Sequence, residues 1–307
     1  MYSYKRLMVG IDFSIYDKIV IRYASFLCGI LQPEKIYFIN FQHTLDIPEG
    51  LREKFPEMNL PLDEKFKERM MKEVQANFPG HNNFDIEYDV MEGSPFAEML
   101  RWAHIKNVDL LVAGRKPEKE GSGILAQKMA RKGTCSVLFV PPEAKASLKN
   151  IFVAVDFSEN SKMALEEAWM LAEKDKEAKI FCYHSYYLPI GYYKTGKTEE
   201  EFAAIMLEHA VKRCNELITE LKIPPSRITP LFELEKTRLS EARMIEQAAR
   251  KNKADVILVG AKGRTAATAV LLGSVTEKLI KVNENIPLLV VKQKDKSFTF
   301  WDFIRNV

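Results

Sequence analysis

The chain has 307 residues, 47% apolar and 28% charged, and its 45 basic and 42 acidic side chains leave a net charge of +3. That composition excludes a disordered chain, and the length suits two domains better than one. With no block of five Lys or Arg, nucleic-acid binding has little electrostatic support, and no apolar run approaches the roughly 18 residues that would cross a membrane.

The chain opens with MYSYKRLMVGIDFS, which runs directly into an apolar strand, so no signal peptide is expected. Short apolar runs then alternate with helical periodicity. They predict strands over 5–11, 35–41, 84–91, 109–113 and 136–140, and helices over 16–31, 62–78, 94–106 and 122–132. Pro141-Pro142 cannot continue a sheet ladder and marks a boundary. Beyond it the pattern restarts. KRLMVGIDFS at 5–14 recurs as KNIFVAVDFS at 149–158, 144 positions on. VDLLVAG at 108–114 matches ADVILVG at 254–260 at a shift of 146, and SVLFV at 136–140 matches PLLVV at 287–291 at 151. A slowly growing shift marks a duplicated domain with loop insertions in the second copy. The second copy has predicted strands over 150–155, 179–185, 228–235, 255–259 and 287–292, and helices over 159–173, 199–221, 239–252 and 274–284.

Val256-Ile257-Leu258-Val259 is apolar on both faces, as in a parallel sheet covered on both sides. The expected fold class is therefore α/β: two tandem doubly wound five-stranded parallel-sheet domains, at 1–141 and 149–293, followed by an aromatic tail at 294–307. Ligands of such sheets sit beyond the carboxyl ends of the strands, where the strand order reverses. Asp12 and Asp156 end their first strands there, and Gly114 and Gly260 end their fourth.

The stretch after the second copy's fourth strand carries the most chemistry. Its glycines fall as Gly260-x2-Gly263-x9-Gly273, with Ser274 next. Gly260 lets the loop leave the sheet, and Gly263 permits a turn whose N–H groups converge on one anion. Ser274 is read as the N-cap of the following helix, whose free N–H groups and dipole favour phosphate. Neither G-x-x-x-x-G-K-[ST] nor G-x-G-x-x-G is present.

With Asp156-Phe157-Ser158-Glu159 at the end of its first strand and this glycine pattern after its fourth, the second copy resembles the ATP-binding branch of the universal stress protein family, whose pattern is G-x2-G-x9-G-[S/T]. The first copy is similar to the same family in layout. The resemblance implies a Rossmann-like, adenine-nucleotide α-hydrolase-like fold that binds ATP. It places Asp156, with Ala154 and Val155, beside the adenosine, and Ser185, which follows His184, against adenine through its backbone. It puts Gly260, Lys262 and Gly263 on the ribose and phosphates, and Gly273, Ser274, Val275 and Thr276 around the phosphates. A Mg or Mn ion would be held mainly by phosphate oxygens. It further implies that the last strands of the two domains pair as an intramolecular pseudo-dimer, with a homodimer as the other option.

On the residues alone, Asp156 is a ribose or adenine acceptor or a cap of the next helix, Ser158 an N-cap rather than a ligand, His184 a packed sheet residue rather than a metal ligand, Lys262 and Arg264 phosphate-neutralising or merely solvated, and Thr276 a ligand or a bystander. The first copy departs from the pattern. Gly114 is followed by Arg115-Lys116-Pro117, so proline replaces the second glycine and removes a donor. Ser122-Gly123 reverses the Gly-Ser pair, and Glu118 and Glu120 lie in a shortened loop. This copy is expected to bind ATP poorly or not at all.

Cys28, Cys135, Cys182 and Cys214 form no C-x-x-C pair and read as small core residues of a cytoplasmic protein. No base, nucleophile and orienting residue cluster, so the expected function is an ATP-binding stress-response regulator with at most slow hydrolysis. The alternatives are a small-ligand or metal-binding module with ATP incidental, and a nucleotide-transferring enzyme of the same superfamily, whose S-G-G-x-D-S and H-I-G-H motifs are absent here. Phe298, Phe300, Trp301 and Phe303 in the tail read as a segment packed on its own chain or as an oligomer contact.

Overall fold

A computed structural model describes residues 4–46, 61–116, 122–235, 239–263 and 272–294. Pro117, the loop through Gly121, Arg264 and the four tail aromatics lie outside the described residues. The chain divides into two compact units, 1–146 with 293–307, and 147–292.

The first unit runs β1 (Arg6–Ile11), α1 (Asp17–Leu31), β2 (Lys35–Gln42), α2 (Leu62–Asn77), β3 (Ile86–Glu92), α3 (Pro95–Ile105), β4 (Leu110–Gly114), α4 (Ser122–Lys132) and β5 (Ser136–Val140). Its strands lie parallel in the order β3-β2-β1-β4-β5. The second unit runs β6 (Asn150–Ala154), α5 (Glu159–Ala172), β7 (Lys179–Tyr186), α6 (Glu199–Glu220), β8 (Ile228–Leu234), α7 (Glu241–Lys251), β9 (Val256–Gly260), α8 (Ser274–Val282) and β10 (Leu288–Val291). It repeats the order, as β8-β7-β6-β9-β10, again parallel. Predicted elements and observed ones differ by one or two residues at their ends, where helices and strands fray. Among the described residues three 3-10 turns, His81–Asn83, Tyr192–Thr195 and Pro225–Arg227, are too short to leave a periodic signal.

The central strands are apolar on both faces because helices cover both. Leu7, Met8 and Val9 of β1, and Ile257 and Leu258 of β9, are fully buried. A carboxylate fixes the register where the chain doubles back. Asp109 Oδ2 accepts from the N–H groups of Lys5 and Arg6 at 3.0 and 2.9 Å. Asp255 Oδ2, its counterpart, accepts from Asn150 N and Ser147 Oγ, both at 2.9 Å. Each carboxylate therefore ties the start of the unit's first strand to the start of its fourth.

At the opposite, carboxyl ends the chain reverses sharply. Phe13 and Phe157, each just after the strand-ending Asp, are left-handed, with φ of 58° and 62°. Such a conformation costs a bulky residue roughly 1–3 kcal/mol, and both units offset it alike. Arg69 lies 4.4 Å from the Phe13 ring and Arg213 4.7 Å from the Phe157 ring. Arg213 also donates to the Phe157 carbonyl at 3.4 Å. The turn thus holds Asp12 and Asp156 at the strand ends, beside the reversal of strand order between β1 and β4 and between β6 and β9.

Candidate functional site

In the second unit the carboxyl ends of β6, β7, β8 and β9 and the first turns of α7 and α8 enclose a cavity of about 420 Å³, within the range of small-molecule sites. Ala154, Val155, Asp156, Ser185, Gly260, Lys262, Gly263, Gly273, Ser274, Val275 and Thr276 all line it. The structure therefore brings together the second-copy residues that the resemblance places around the nucleotide.

Asp156 does not cap α5; Ser158 does, accepting from Ser161 N at 3.3 Å. Asp156 Oδ1 instead accepts from Ser158 N at 3.0 Å and from Ser158 Oγ at 2.6 Å, which sets the carboxylate's orientation. His184, 8% exposed, binds the Val155 carbonyl through Nδ1 at 2.7 Å, so Nδ1 carries the proton. Its ring lies 4.4 Å from that of Phe157, so it braces the turn that carries Asp156. β6 ends at Ala154 while β7 continues to Tyr186, which leaves Ser185 beyond the end of its neighbouring strand.

The glycines are explained by close approach. A Cβ on Gly260 would stand 2.7 Å from the backbone of Asn160 in α5, and one on Gly263 would stand 2.8 Å from Asp156 Oδ2. Gly263 is outside the left-handed region, and the turn expected after it falls on residues 264–271, outside the described residues. Its missing side chain lets the loop lie against the Asp156 carboxylate. A Cβ on Gly273 would meet Gly263 N at 3.3 Å, and Gly273 N–H donates to the Ala261 carbonyl at 2.8 Å. The two ends of the loop are thereby closed on each other.

Ser274 was expected to be the N-cap of α8, but Gly273 holds that position and Ser274 is the first helical residue. The reason is visible in the ladder. The first intrahelical bond runs from Glu277 N to the Gly273 carbonyl at 2.9 Å, leaving the N–H groups of Ser274, Val275 and Thr276 without an acceptor inside the helix. These three residues line the cavity, and a helix start of this kind favours an anion. Thr276, 3% exposed, donates its hydroxyl to the Gly260 carbonyl at 2.8 Å, pinning α8 to the end of β9. Thr276→Val keeps the shape and removes the donor. It should lower stability by about 1–2 kcal/mol, read from the midpoint of denaturant unfolding; an unchanged midpoint would show the bond to be idle.

Sequence reasoning missed Ser161, Tyr187, Glu235 and Glu241, which also line the cavity. Glu235 follows the end of β8, and Glu241 opens α7. The rule that ligands sit beyond strand ends, applied to the third strand as well as to the first and fourth, would have flagged Glu235. Tyr183 also faces the cavity. Burial, and the Glu233 carboxylate to which its hydroxyl donates at 2.8 Å, push its pKa above the ordinary tyrosine value.

The equivalent place in the first unit is furnished differently. Asn40 Nδ2 donates to the Ile11 carbonyl at 2.8 Å, as His184 binds Val155, but Phe41 stands where Ser185 does. Asp12 Oδ2 is ion-paired with Lys116 Nζ at 2.6 Å, and its Oδ1 accepts from Ser14 N at 3.0 Å. Burial alone would raise its pKa, but Lys116 and Ser14 hold it below the ordinary value. Asp17, at the position of Ser161, is 5% exposed. Burial and the nearby Asp12 charge push it up to about 7.

Among the described residues no group of three or more His, Cys, Asp or Glu is arranged to hold a metal ion, and no helix is long and apolar enough to cross a membrane. All four cysteines are free and buried.

The model of the universal stress protein family matches residues 3–141 and again 147–292. The chain belongs to the universal stress protein family. It is a tandem member, with one family domain in each half. It is 47% identical over 55 residues to a universal stress protein of Methanocaldococcus jannaschii, a match covering 18% of this chain and 32% of that protein. The chain thus spans about a third of the length of that relative. It is 30% identical over 164 residues to a second universal stress protein of the same organism, covering 48% of this chain and 96% of the relative. The solved structure of a universal stress protein from Archaeoglobus fulgidus matches it with a TM-score of 0.62 at 16% identity, over 96% of this chain and 98% of that one, a likeness of fold.

Proposed function

We propose that this universal stress protein binds one ATP per chain, in the cavity of the second unit, and acts as a nucleotide-dependent regulator with at most slow hydrolysis. The observation that carries the reading is the meeting, in one 420 Å³ cavity, of the glycine loop, the open N–H groups of Ser274, Val275 and Thr276, and the oriented Asp156 carboxylate. The residues fit the group. Backbone donors and Lys262 suit phosphates, while Asp156 is an acceptor suited to a ribose hydroxyl or an adenine amine. A Mg or Mn ion would belong to the phosphates, since the cavity presents no arranged set of metal-ligating side chains among the described residues. The Asp12–Lys116 pair favours a first unit that does not bind ATP, because phosphate would have to compete with Asp12 for that lysine. A cytoplasmic setting is part of the proposal, in keeping with four buried free cysteines.

Calorimetric titration with ATP and magnesium should show a single site per chain; no heat at millimolar ATP would overturn the reading. Gly273→Glu places a side chain where a Cβ already presses on Gly263 N, and a negative charge at the start of α8. It should weaken binding by more than tenfold, about 1.4 kcal/mol.

A further inference from the structure

The cavity is polar in two different senses. One end carries the first turn of α8, whose first three N–H groups have no acceptor inside the helix, with Asp156 beside the glycine loop. The wall formed by Glu235 and Glu241 presents carboxylates. A polyphosphate is repelled by that wall and drawn to the helix start, so the other end of a nucleotide is what meets Glu235. The carboxylate there is positioned. Its backbone N–H donates to the Tyr186 carbonyl at 2.8 Å, continuing the β7–β8 ladder one step beyond Leu234. Its Oε1 accepts from Ser185 Oγ at 2.9 Å, and Ser185 is 9% exposed. A hydroxyl so buried has few other partners to turn to, so it holds the carboxylate over the end of β7. Ser185 is also the residue whose peptide lies past the end of β6. Backbone and carboxylate thus line the same corner of the cavity.

We propose that Glu235 is the base-selecting residue of this site, with Ser185 as the residue that positions it. This rests on the ATP reading above and adds what that reading leaves open: which edge of a nucleobase the protein accepts. An ionised carboxylate accepts hydrogen bonds and cannot donate them. Ser185 uses one oxygen, and Glu235 is only half-buried, so its remaining lone pairs are open to a donor from a ligand that displaces water. Adenine offers one in its exocyclic amine. Hypoxanthine, identical in size, carries a keto oxygen at that position and sets acceptor against acceptor. Sites built around a hydrogen bond reject the ligand that leaves a group unpaired far more strongly than apolar pockets reject a change of size. Tyr187, 64% exposed and lining the same cavity, adds an aromatic wall that suits either purine equally. Asp156 lies at the glycine-loop end of the cavity, against Gly263, so Glu235, held over the end of β7 by Ser185, is the carboxylate assigned to the base.

The test is competitive binding of ATP, inosine triphosphate and 2′-deoxy-ATP to the full chain and to Glu235→Gln and Ser185→Ala, each checked for an unchanged melting curve. The intact protein should prefer ATP to inosine triphosphate by about tenfold or more. In Glu235→Gln the ratio should fall to within about threefold, because a side-chain amide presents either a donor or an acceptor. In Ser185→Ala it should fall part of the way, and this variant decides the matter if Glu235→Gln does not fold. An unchanged ATP-to-inosine ratio in the variants overturns the inference while leaving ATP binding intact. So does a change confined to the ratio of ATP to its 2′-deoxy form, which would place Glu235 on the sugar. If the intact protein binds none of the three nucleotides, the ATP reading itself falls.

Discussion

Asp17→Asn should leave the protein as stable as the parent near pH 4 and markedly more stable at pH 8. The acid is the first residue of α1, is 5% exposed, and accepts from Asp12 N at 3.3 Å. Burial and the charge of Asp12 push it up to about 7 in the folded protein, whereas in an unfolded chain it titrates near 4. Below pH 4 it is neutral in both states and has no effect on stability. Between pH 4 and 7 the unfolded chain sheds a proton that the folded protein keeps. Unfolding is therefore favoured progressively as pH rises, and the full penalty is in place above 7. About three pKa units at roughly 1.4 kcal/mol each set a ceiling on the order of 4 kcal/mol. Asparagine keeps the shape and the acceptor for Asp12 N but does not ionise. Urea unfolding of both proteins at pH 4.5, 6 and 8 should give a difference that grows with pH; a constant offset would show that Asp17 does not titrate in this window. Asp12 behaves in the opposite way, since Lys116 and Ser14 hold it ionised. Two neighbouring aspartates are thus split into an exposed, charged member that pairs with Lys116 and a buried one whose pKa is raised.

The same pair shows what a sequence exposes and what it hides. The two-copy layout was legible because KRLMVGIDFS and KNIFVAVDFS repeat at a fixed shift, and because strands apolar on both faces announce a covered parallel sheet. Asp156 and the glycine-loop residues were legible because the glycine spacing and the strand-end rule point to the same corner, whereas Ala154, Val155 and Ser185 were reached only through the family resemblance. Asp17 was not legible. An acid in the first turn of a helix is ordinary on dipole grounds, and only the packing of α1 against the sheet makes it a buried one. Glu235 and Tyr187 follow strand ends without any motif, and nothing in their spacing ties them to Asp156. Gly263 was legible as a necessary glycine, but its contact with Asp156 was not. Spacing suggests a turn, whereas the contact is with a carboxylate from a strand more than a hundred residues earlier in the chain, a proximity that no local pattern carries.

That distinction makes Gly260→Ala and Gly263→Ala expected to fail in different ways. At Gly260 the new Cβ would lie 2.7 Å from the carbonyl carbon and oxygen of Asn160 and 2.8 Å from its Cβ. These atoms belong to the first turn of α5 and cannot rotate away, so the helix must move off the end of β9. Overpacking of this kind costs about 1–3 kcal/mol, and at roughly 2–4 °C per kcal/mol for a unit of this size the melting temperature should drop visibly. At Gly263 the new Cβ would meet Asp156 Oδ2 at 2.8 Å, while Asp156 Cγ is 3.9 Å away. A carboxylate oxygen can swing aside at little cost, but doing so breaks the orientation that Ser158 imposes on Asp156. Gly263→Ala should therefore melt within about 2 °C of the parent, the effect of well under 1 kcal/mol, yet lose ATP affinity by tenfold or more. Thermal unfolding and calorimetric titration of the two variants, side by side, separate the roles. If Gly263→Ala binds ATP normally, Asp156 has no part in holding the ligand; if it melts as Gly260→Ala does, the loop is structural rather than part of a binding site. The glycine against a helix backbone maintains the fold, and the glycine against a carboxylate keeps that carboxylate facing the cavity.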